Sequence, residues 1–183
     1  MIRPIYLYGS GVLRQDAAEA DISRKEEVLA LVQDLKDTLV KADGCGLAAP
    51  QIGVSQRVLI VNGEGLEETY PYLAGFRRTM INPVVVEEDT KTATFSEGCL
   101  SVPGVYADVV RPASIVVRYL DEQFNQVEER LDKFACRMVQ HELDHLDGTM
   151  FVDRVAPIRK KMIAKKLQNI SRGKVSTGYK TKQ

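Results

Sequence analysis

The sequence predicts one domain that combines helices with a central block of strands. Three observations indicate this: an amphipathic segment before residue 42, a series of short apolar segments between residues 58 and 131, and two further helical patterns after residue 131. A chain of 183 residues is typical of a single domain. We assign residues 1–172 to that domain and expect residues 173–183 to be a disordered basic tail.

The first helix is predicted from its start signal and its apolar face. Residues 1–22 are expected to be irregular, with a Gly-Ser-Gly loop signal at 9–11. Ser23 followed by Glu26 matches the capping-box pattern, so we expect a helix from Ser23 to about Lys41. The predicted buried face consists of Val28, Leu29, Leu31, Val32, Leu35 and Leu39.

The middle of the chain predicts strands. We expect them at residues 58–61, 80–86, 91–96, 105–110, 115–120 and 127–131. Residues 80–86 and 91–96 are expected to pair with each other across the acidic turn at 87–89. The polar segment 62–78 contains glycine and is predicted to be a loop.

The second predicted helix carries the only two histidines of the chain. Asp132 is a plausible N-cap, Gly148 occupies the position where a glycine ends a helix, and apolar residues recur between them at helical spacing. The apolar stripe consists of Ala135, Val139, Leu143 and Leu146. We expect this stripe to face the core, with the histidines at its edge in a cleft.

His141 and His145 lie four residues apart, so a helix places both on one face, one turn apart. Together with Glu142 they form the H-E-x-x-H pattern of metal-dependent hydrolysis, in which the glutamate binds a water beside the metal. Two solvated histidines on a surface helix are the structural alternative. Asp144 either orients a neighbouring group, pairs with an arginine or is a solvated carboxylate.

A catalytic metal site typically takes three protein ligands and a water, so one ligand is missing from this motif. No histidine follows His145, and Asp147 and Asp153 do not have the spacing of a zinc-peptidase ligand. Cys99 is the attractive alternative, because it lies on a loop shaped by glycine and proline, between Glu97 and Gly104.

Residues 44–53 form a second informative stretch. Gly44 and Gly46 flank one residue and let another backbone approach closely, and the two alanines that follow keep that approach clear. The neutral amide of Gln51 can donate a hydrogen bond to a developing oxyanion. A tight loop with a solvated glutamine explains the spacing equally well.

The composition is that of a globular protein with an uneven charge. Net charge is zero, but residues 154–183 hold ten Lys and Arg and no acid, which leaves net minus ten on the first 153 residues. This asymmetry suggests an anionic partner for the basic segment. A third helix is expected to start near Pro157 and to face the body with Ile158, Met162, Ile163, Leu167 and Ile170.

The chain lacks the features of an exported or membrane protein. Its first residues contain no apolar signal region, no apolar run approaches membrane-spanning length, and the three cysteines have no C-x-x-C spacing. We therefore expect a cytoplasmic protein without disulfide bonds, in which Cys136 is a buried thiol on the second helix. We expect neither DNA nor a membrane among its partners.

Three motifs together resemble the peptide deformylase family, over roughly residues 5–170. They are G-C-G-L-A-A-P-Q at residues 44–51, E-G-C-L-S at 97–101 and H-E-L-D-H at 141–145, in the family's order. Members remove the N-formyl group from the initiator methionine of new polypeptides and release formate. The resemblance implies an α+β fold with mixed, mainly antiparallel strands around the metal-binding helix, plus an N-terminal and a C-terminal helix.

The resemblance also implies a role for each motif residue. Cys99, His141 and His145 would bind the metal, and Glu142 would be the general base and then the acid. The backbone N–H of Leu100 and the amide of Gln51 would stabilise the oxyanion. The substrate backbone would pair with Gly44, Cys45, Gly46 and Gly98.

The family resemblance further implies the metal and a partner. The metal is one Fe²⁺ per chain, which Zn²⁺, Ni²⁺ or Co²⁺ can replace, and the thiolate ligand makes the site sensitive to oxygen. Some members dock on the ribosome through a C-terminal helix, which would give the basic segment a function; a solvated helix face is the alternative.

Two rival functions remain open at this point. A zincin-type metallopeptidase would need a third ligand downstream of His145 and leaves the E-G-C-L-S loop unexplained. A structural zinc module would use Cys45, Cys99, His141 and His145 as four closed ligands.

Overall fold

A computed structural model describes residues 1–183, with three helices and nine strands. The helices are α1 (Lys25–Ala42), α2 (Lys133–Leu146) and α3 (Pro157–Ser171). The strands are β1 (Ile5–Tyr6), β2 (Gly46–Ala48), β3 (Val58–Asn62), β4 (Arg77–Glu88), β5 (Thr92–Cys99), β6 (Val102–Pro112), β7 (Ser114–Leu120), β8 (Gln126–Asp132) and β9 (Thr181–Lys182).

The strands form three separate sheets. The largest has five antiparallel strands in the order β2-β3-β4-β7-β8. Strands β5 and β6 form an antiparallel hairpin, and β1 pairs with β9 in parallel. The α+β prediction, with mainly antiparallel strands around a central helix, is confirmed. The expected pairing of residues 80–86 with 91–96 is wrong, because β4 pairs with β3 and β7 while β5 turns away to pair with β6.

Helix α2 is central because its side chains are buried from Ala135 to Leu146. Its apolar residues pack on the five-stranded sheet in one core cluster that includes Val139, Leu143 and Leu146. Asp132 is the N-cap residue, although its side chain makes no capping hydrogen bond, and Gly148 follows the helix with φ +64°. A side chain at position 148 would be strained in that conformation and would also collide with the backbone of Arg14.

Helix α1 covers β2 and β3 and forms a second core cluster with them. The predicted capping box is wrong: Arg24 is the N-cap residue, and Ser23 instead hydrogen-bonds to Asp21. Leu29, expected on the buried face, is 37% exposed, while the polar Thr38 is buried and donates to the carbonyl of Asp34.

Helix α3 packs on β6 through Ile163, Leu167 and Ile170, as predicted. The expectation for the other two apolar residues is wrong, because Ile158 is 74% and Met162 is 69% exposed. Only the face of α3 that carries Ile163, Leu167 and Ile170 packs on the body, and Ile158 and Met162 lie outside that face. None of the helices is long and apolar enough to cross a membrane.

The expectation of a disordered tail at residues 173–183 is also wrong. The backbone N–H of Ile5 donates to the carbonyl of Lys180 at 2.9 Å, and that of Leu7 donates to the carbonyl of Lys182 at 2.8 Å. The physical reason is tertiary: β1 presents an unpaired edge, and the short segment after α3 pairs with it.

Candidate functional site

The hairpin of β5 and β6 brings Cys99 close to the two histidines of α2. Cys99 ends β5 and pairs with Val102, so Leu100 and Ser101 form a two-residue turn that points Cys99 toward α2. The potential ligand atoms of Cys99, His141 and His145 lie within 4.8 Å of one another, and Cys99 Sγ is 3.3 Å from His145 Nε2. Cys45 is not a member of this group.

The two acids downstream of the motif are engaged elsewhere. Asp147 pairs with Arg57 at 2.7 Å, and Asp153 pairs with Arg14 at 2.5 Å. Neither carboxylate is within the group formed by the thiol and the two imidazoles. The arrangement therefore offers one sulfur and two nitrogen donors, a set that suits a divalent transition metal.

Glu97 orients the first histidine. Its Oε1 lies 2.8 Å from Nδ1 of His141, which leaves Nε2 of that ring for a ligand. Burial lowers the pKa of His141, but the neighbouring Cys99 and Glu97 outweigh burial and raise this pKa well above its usual value. Burial and the nearby His141 lower the pKa of His145 well below its usual value. The negative surroundings thus favour a cation, and neutral His145 is a competent ligand.

Glu97 is also the hub of a buried ion-pair network. Arg111 contacts it at 2.8 and 2.9 Å, and Arg137 at 2.7 Å. Burial raises the pKa of the Glu97 carboxyl, but hydrogen bonds from Arg111 and His141 outweigh this and hold the pKa well below its usual range. Asp144 pairs with Arg111 and Arg154, which resolves the alternative left open for this residue.

Glu142 is buried next to this candidate metal-ligating group, and its Oε2 has no hydrogen-bond partner. Burial is the main reason that its pKa is raised, to about 7, which suits a group that accepts and returns a proton. Gly46 lies directly against it: a Cβ at position 46 would be 2.5 Å from Glu142 Oε1. The glycine at 46 therefore leaves room for the Glu142 side chain beside β2.

Gln51 lies at the edge of the same group. Its side-chain oxygen accepts from the backbone N–H of Ala48 at 2.9 Å, which directs the amide nitrogen toward the hairpin turn. That nitrogen is 3.2 Å from Ser101 Oγ and 3.5 Å from Cys99 Sγ. The side chain is buried, so the alternative of a solvated glutamine does not hold.

A cleft of about 740 Å³ opens onto these groups. Its walls include two sheet edges, β2 of the large sheet and β5 of the hairpin, so backbone groups on both sides are available to an extended peptide. Gly44, Cys45, Gly46 and Gly98 all line it. The apolar side chains of Leu66, Phe134 and Met138 also line the cleft; sequence spacing gave no signal for them.

Several supporting residues were not found from the sequence. No sequence pattern marks Arg111, Arg137 or Arg154 as buried residues of the site. Glu97 was identified only as part of the E-G-C-L-S motif. Buried arginines and carboxylates at these positions become visible only when β5, β6 and α2 are packed together.

Comparison with known proteins gives a consistent result. The chain matches the family described as polypeptide deformylase over residues 2–161. It is 42% identical to a peptide deformylase of Fusobacterium nucleatum, with 94% of each chain covered. Among solved structures, it resembles a peptide deformylase from Legionella pneumophila with 33% identity and a TM-score of 0.81, covering 95% of this chain and 98% of the other. It also resembles a Plasmodium falciparum peptide deformylase with 30% identity and a TM-score of 0.83, covering 92% and 95%.

We predict that Arg111→Met destabilises the protein far more than Arg118→Met. Arg111 is buried between two carboxylates, so its removal leaves uncompensated buried charge and costs about 3–5 kcal/mol. Arg118 pairs with Glu128 on the surface, where such a pair contributes at most about 1 kcal/mol. Urea denaturation of both variants measures the difference. Equal losses would show that the buried network is not required for stability.

Proposed function

The chain belongs to the polypeptide deformylase family, and on that premise we propose how its residues perform the family's reaction. The enzyme is a metal-dependent hydrolase that removes the N-formyl group from the terminal methionine of newly made polypeptides and releases formate. The observation that carries the residue assignments is the convergence of Cys99, His141 and His145 within 4.8 Å beside the buried Glu142.

We assign the metal ligands to Cys99, His141 and His145, and the native metal to Fe²⁺, with Zn²⁺, Ni²⁺ or Co²⁺ as substitutes. The donor set supports this: one sulfur, one imidazole oriented by Glu97 and one imidazole held neutral by burial. When bound, a divalent metal polarises a carbonyl and lowers the pKa of water. Cys45 lies outside this group, which argues against a closed four-ligand zinc module.

Glu142 is the proposed general base and then the general acid. A carboxyl with a pKa of about 7 accepts the proton of the attacking water near neutral pH. It then delivers that proton to the amine of methionine as the bond to the formyl carbon breaks. The unpartnered Oε2 is available for both transfers.

The proposed oxyanion donors are the amide nitrogen of Gln51 and the backbone N–H of Leu100. The Gln51 nitrogen already points at the hairpin turn and the Cys99 sulfur, with its orientation set by the bond to Ala48. A thiolate ligand brings negative charge to the site, so separate hydrogen bonds to the developing oxyanion gain importance.

Substrate binding is proposed to use both walls of the cleft. An extended peptide fits between the edge strands β2 and β5, with Gly44, Cys45, Gly46 and Gly98 leaving its backbone room. The methionine side chain is matched by the apolar group of Leu66, Phe134 and Met138. A peptidase of the zincin type is not favoured, because its downstream third ligand does not exist here.

The cellular setting is proposed from the substrate and the charge. Formylated nascent chains are made in the cytoplasm, where we place the enzyme. Four lysines of α3, Lys160, Lys161, Lys165 and Lys166, are all exposed, and Ile158 and Met162 form an exposed apolar pair on the same helix. We propose that this face contacts the ribosome, where phosphates and protein offer complementary surfaces.

Glu142→Ala should retain its metal but lose about 10²–10⁴-fold in kcat, the usual loss for a positioned acid–base group. Formate release from a formyl-methionyl peptide and metal analysis of the same preparation measure both quantities. Glu88→Ala, an exposed glutamate at the end of β4, is the control and should match the parent. Near-parental activity in Glu142→Ala would remove the assigned role.

Cys99→Ser should weaken metal binding, whereas Cys136→Ser should not, because Cys136 is buried against the sheet on α2. Metal content after purification without oxygen measures this directly and identifies the native ion. The iron-loaded parent should also lose activity in air as the iron and its thiolate oxidise. Equal metal content in the parent and in Cys99→Ser would exclude the cysteine as a ligand.

Changing Lys160, Lys161, Lys165 and Lys166 to Gln should reduce co-sedimentation with ribosomes at low salt. Contacts between lysine and phosphate release counterions, so the parent's binding should also fall steeply as salt rises. A variant with Lys25, Lys41, Lys91 and Arg118 changed to Gln removes the same charge elsewhere and serves as the control. Ribosome binding that is equal in both variants would show that α3 is not the docking surface.

A further inference from the structure

The segment after α3 returns to the cleft instead of leaving the body. Gly173 reverses the chain with φ +67°, and β9 then pairs with β1. On the way, Ser176, Thr177 and Tyr179 reach the cleft and become part of its wall. The family match ends at residue 161, so this wall lies outside the part of the chain that the match describes.

Tyr179 joins this segment to the hairpin turn that carries the proposed oxyanion donor. Its hydroxyl donates a hydrogen bond to the backbone carbonyl of Leu100 at 2.7 Å. The ring is half-buried and packs against the α1 cluster, as does the Leu100 side chain. Thr177 Oγ1 donates to the carbonyl of Tyr179 at 2.7 Å, which fixes the backbone that carries the ring.

The turn that contains Leu100 and Ser101 accepts three hydrogen bonds from other parts of the chain. The backbone N–H of Tyr8 donates to the carbonyl of Ser101 at 2.8 Å, and Gln51 donates to Ser101 Oγ. Both of these bonds hold Ser101. The bond from Tyr179 is the one that holds Leu100, so it fixes the peptide that follows the proposed oxyanion donor.

A two-residue turn has few other restraints on its first residue. The N–H and the carbonyl of Leu100 flank one Cα, so rotation about that Cα moves one relative to the other. An oxyanion donor is effective when it is already aimed at the place where charge develops. A hydrogen bond on the Leu100 carbonyl therefore bears directly on how well its N–H is aimed.

We propose that Tyr179 is a positioning residue for deformylation, acting through the Leu100 carbonyl to keep the Leu100 N–H aimed at the oxyanion. The segment 173–183 is thus a part of the active-site architecture, delivered by the β1–β9 pairing. This role rests on the proposed function of Leu100 as an oxyanion donor.

The test compares the full-length parent, Tyr179→Phe and Tyr6→Phe on a formyl-methionyl peptide. Tyr179→Phe removes only the hydroxyl and keeps the ring in its apolar contacts. Loss of one neutral hydrogen bond predicts a fall in kcat of about three- to tenfold. KM should stay within about twofold, because the substrate's own contacts remain. Metal content should match the parent, and the thermal midpoint should fall by no more than about 4 °C, the cost of one lost hydrogen bond.

Tyr6→Phe is the matched control, since Tyr6 lies on the strand that pairs with β9 and its change leaves the Tyr179–Leu100 bond in place. Its kcat should equal that of the parent. An unchanged kcat in Tyr179→Phe, or a fall matched by Tyr6→Phe or accompanied by metal loss, would overturn the positioning role. A parent that releases no formate would overturn the proposed function itself, and with it the role of Tyr179.

Discussion

The buried carboxylate of Glu97 is the interaction on which the rest of the site depends. It joins three elements that are distant in sequence, because it binds Arg111 of β6, Arg137 of α2 and His141 of α2 from its own place on β5. Two arginines and a histidine around one carboxylate compensate its burial. The same contacts hold the hairpin turn, and so Cys99, at a fixed distance from the histidine helix.

The fit between β2 and α2 is the second constraint. Glu142 must be buried for its pKa to lie near neutrality, yet a strand must pass close enough to offer its edge to a peptide. Gly46 meets both requirements, because a Cβ at this position would lie 2.5 Å from Glu142 Oε1 and displace the carboxylate. In the proposed mechanism, Gly46 therefore allows both the burial of the base and the approach of the substrate.

The segment after α3 shows how a surface element takes part in an interior site. Taken alone it is polar, basic and glycine-containing, and such composition predicts disorder. It is ordered because β1 lacks a partner strand and because Tyr179 finds both an apolar contact and a carbonyl acceptor. The helix before it shows the converse, with Ile158 and Met162 left exposed although their spacing indicated a buried stripe.

The sequence by itself determined the mixed class, the course of the three helices, and the motif residues around which the site is built. The spacing of His141 and His145 on one helix face is a local property, so it can be predicted from the residues around them. Only the tertiary structure decided that Cys99 joins them, that β5 pairs with β6 rather than β4, and that Arg111 and Asp144 form a buried pair. The first and last of these are contacts between residues far apart in the chain, and the choice of partner for β5 depends on how the strands pack in three dimensions. The energies involved depend on burial and distance, which no local pattern encodes.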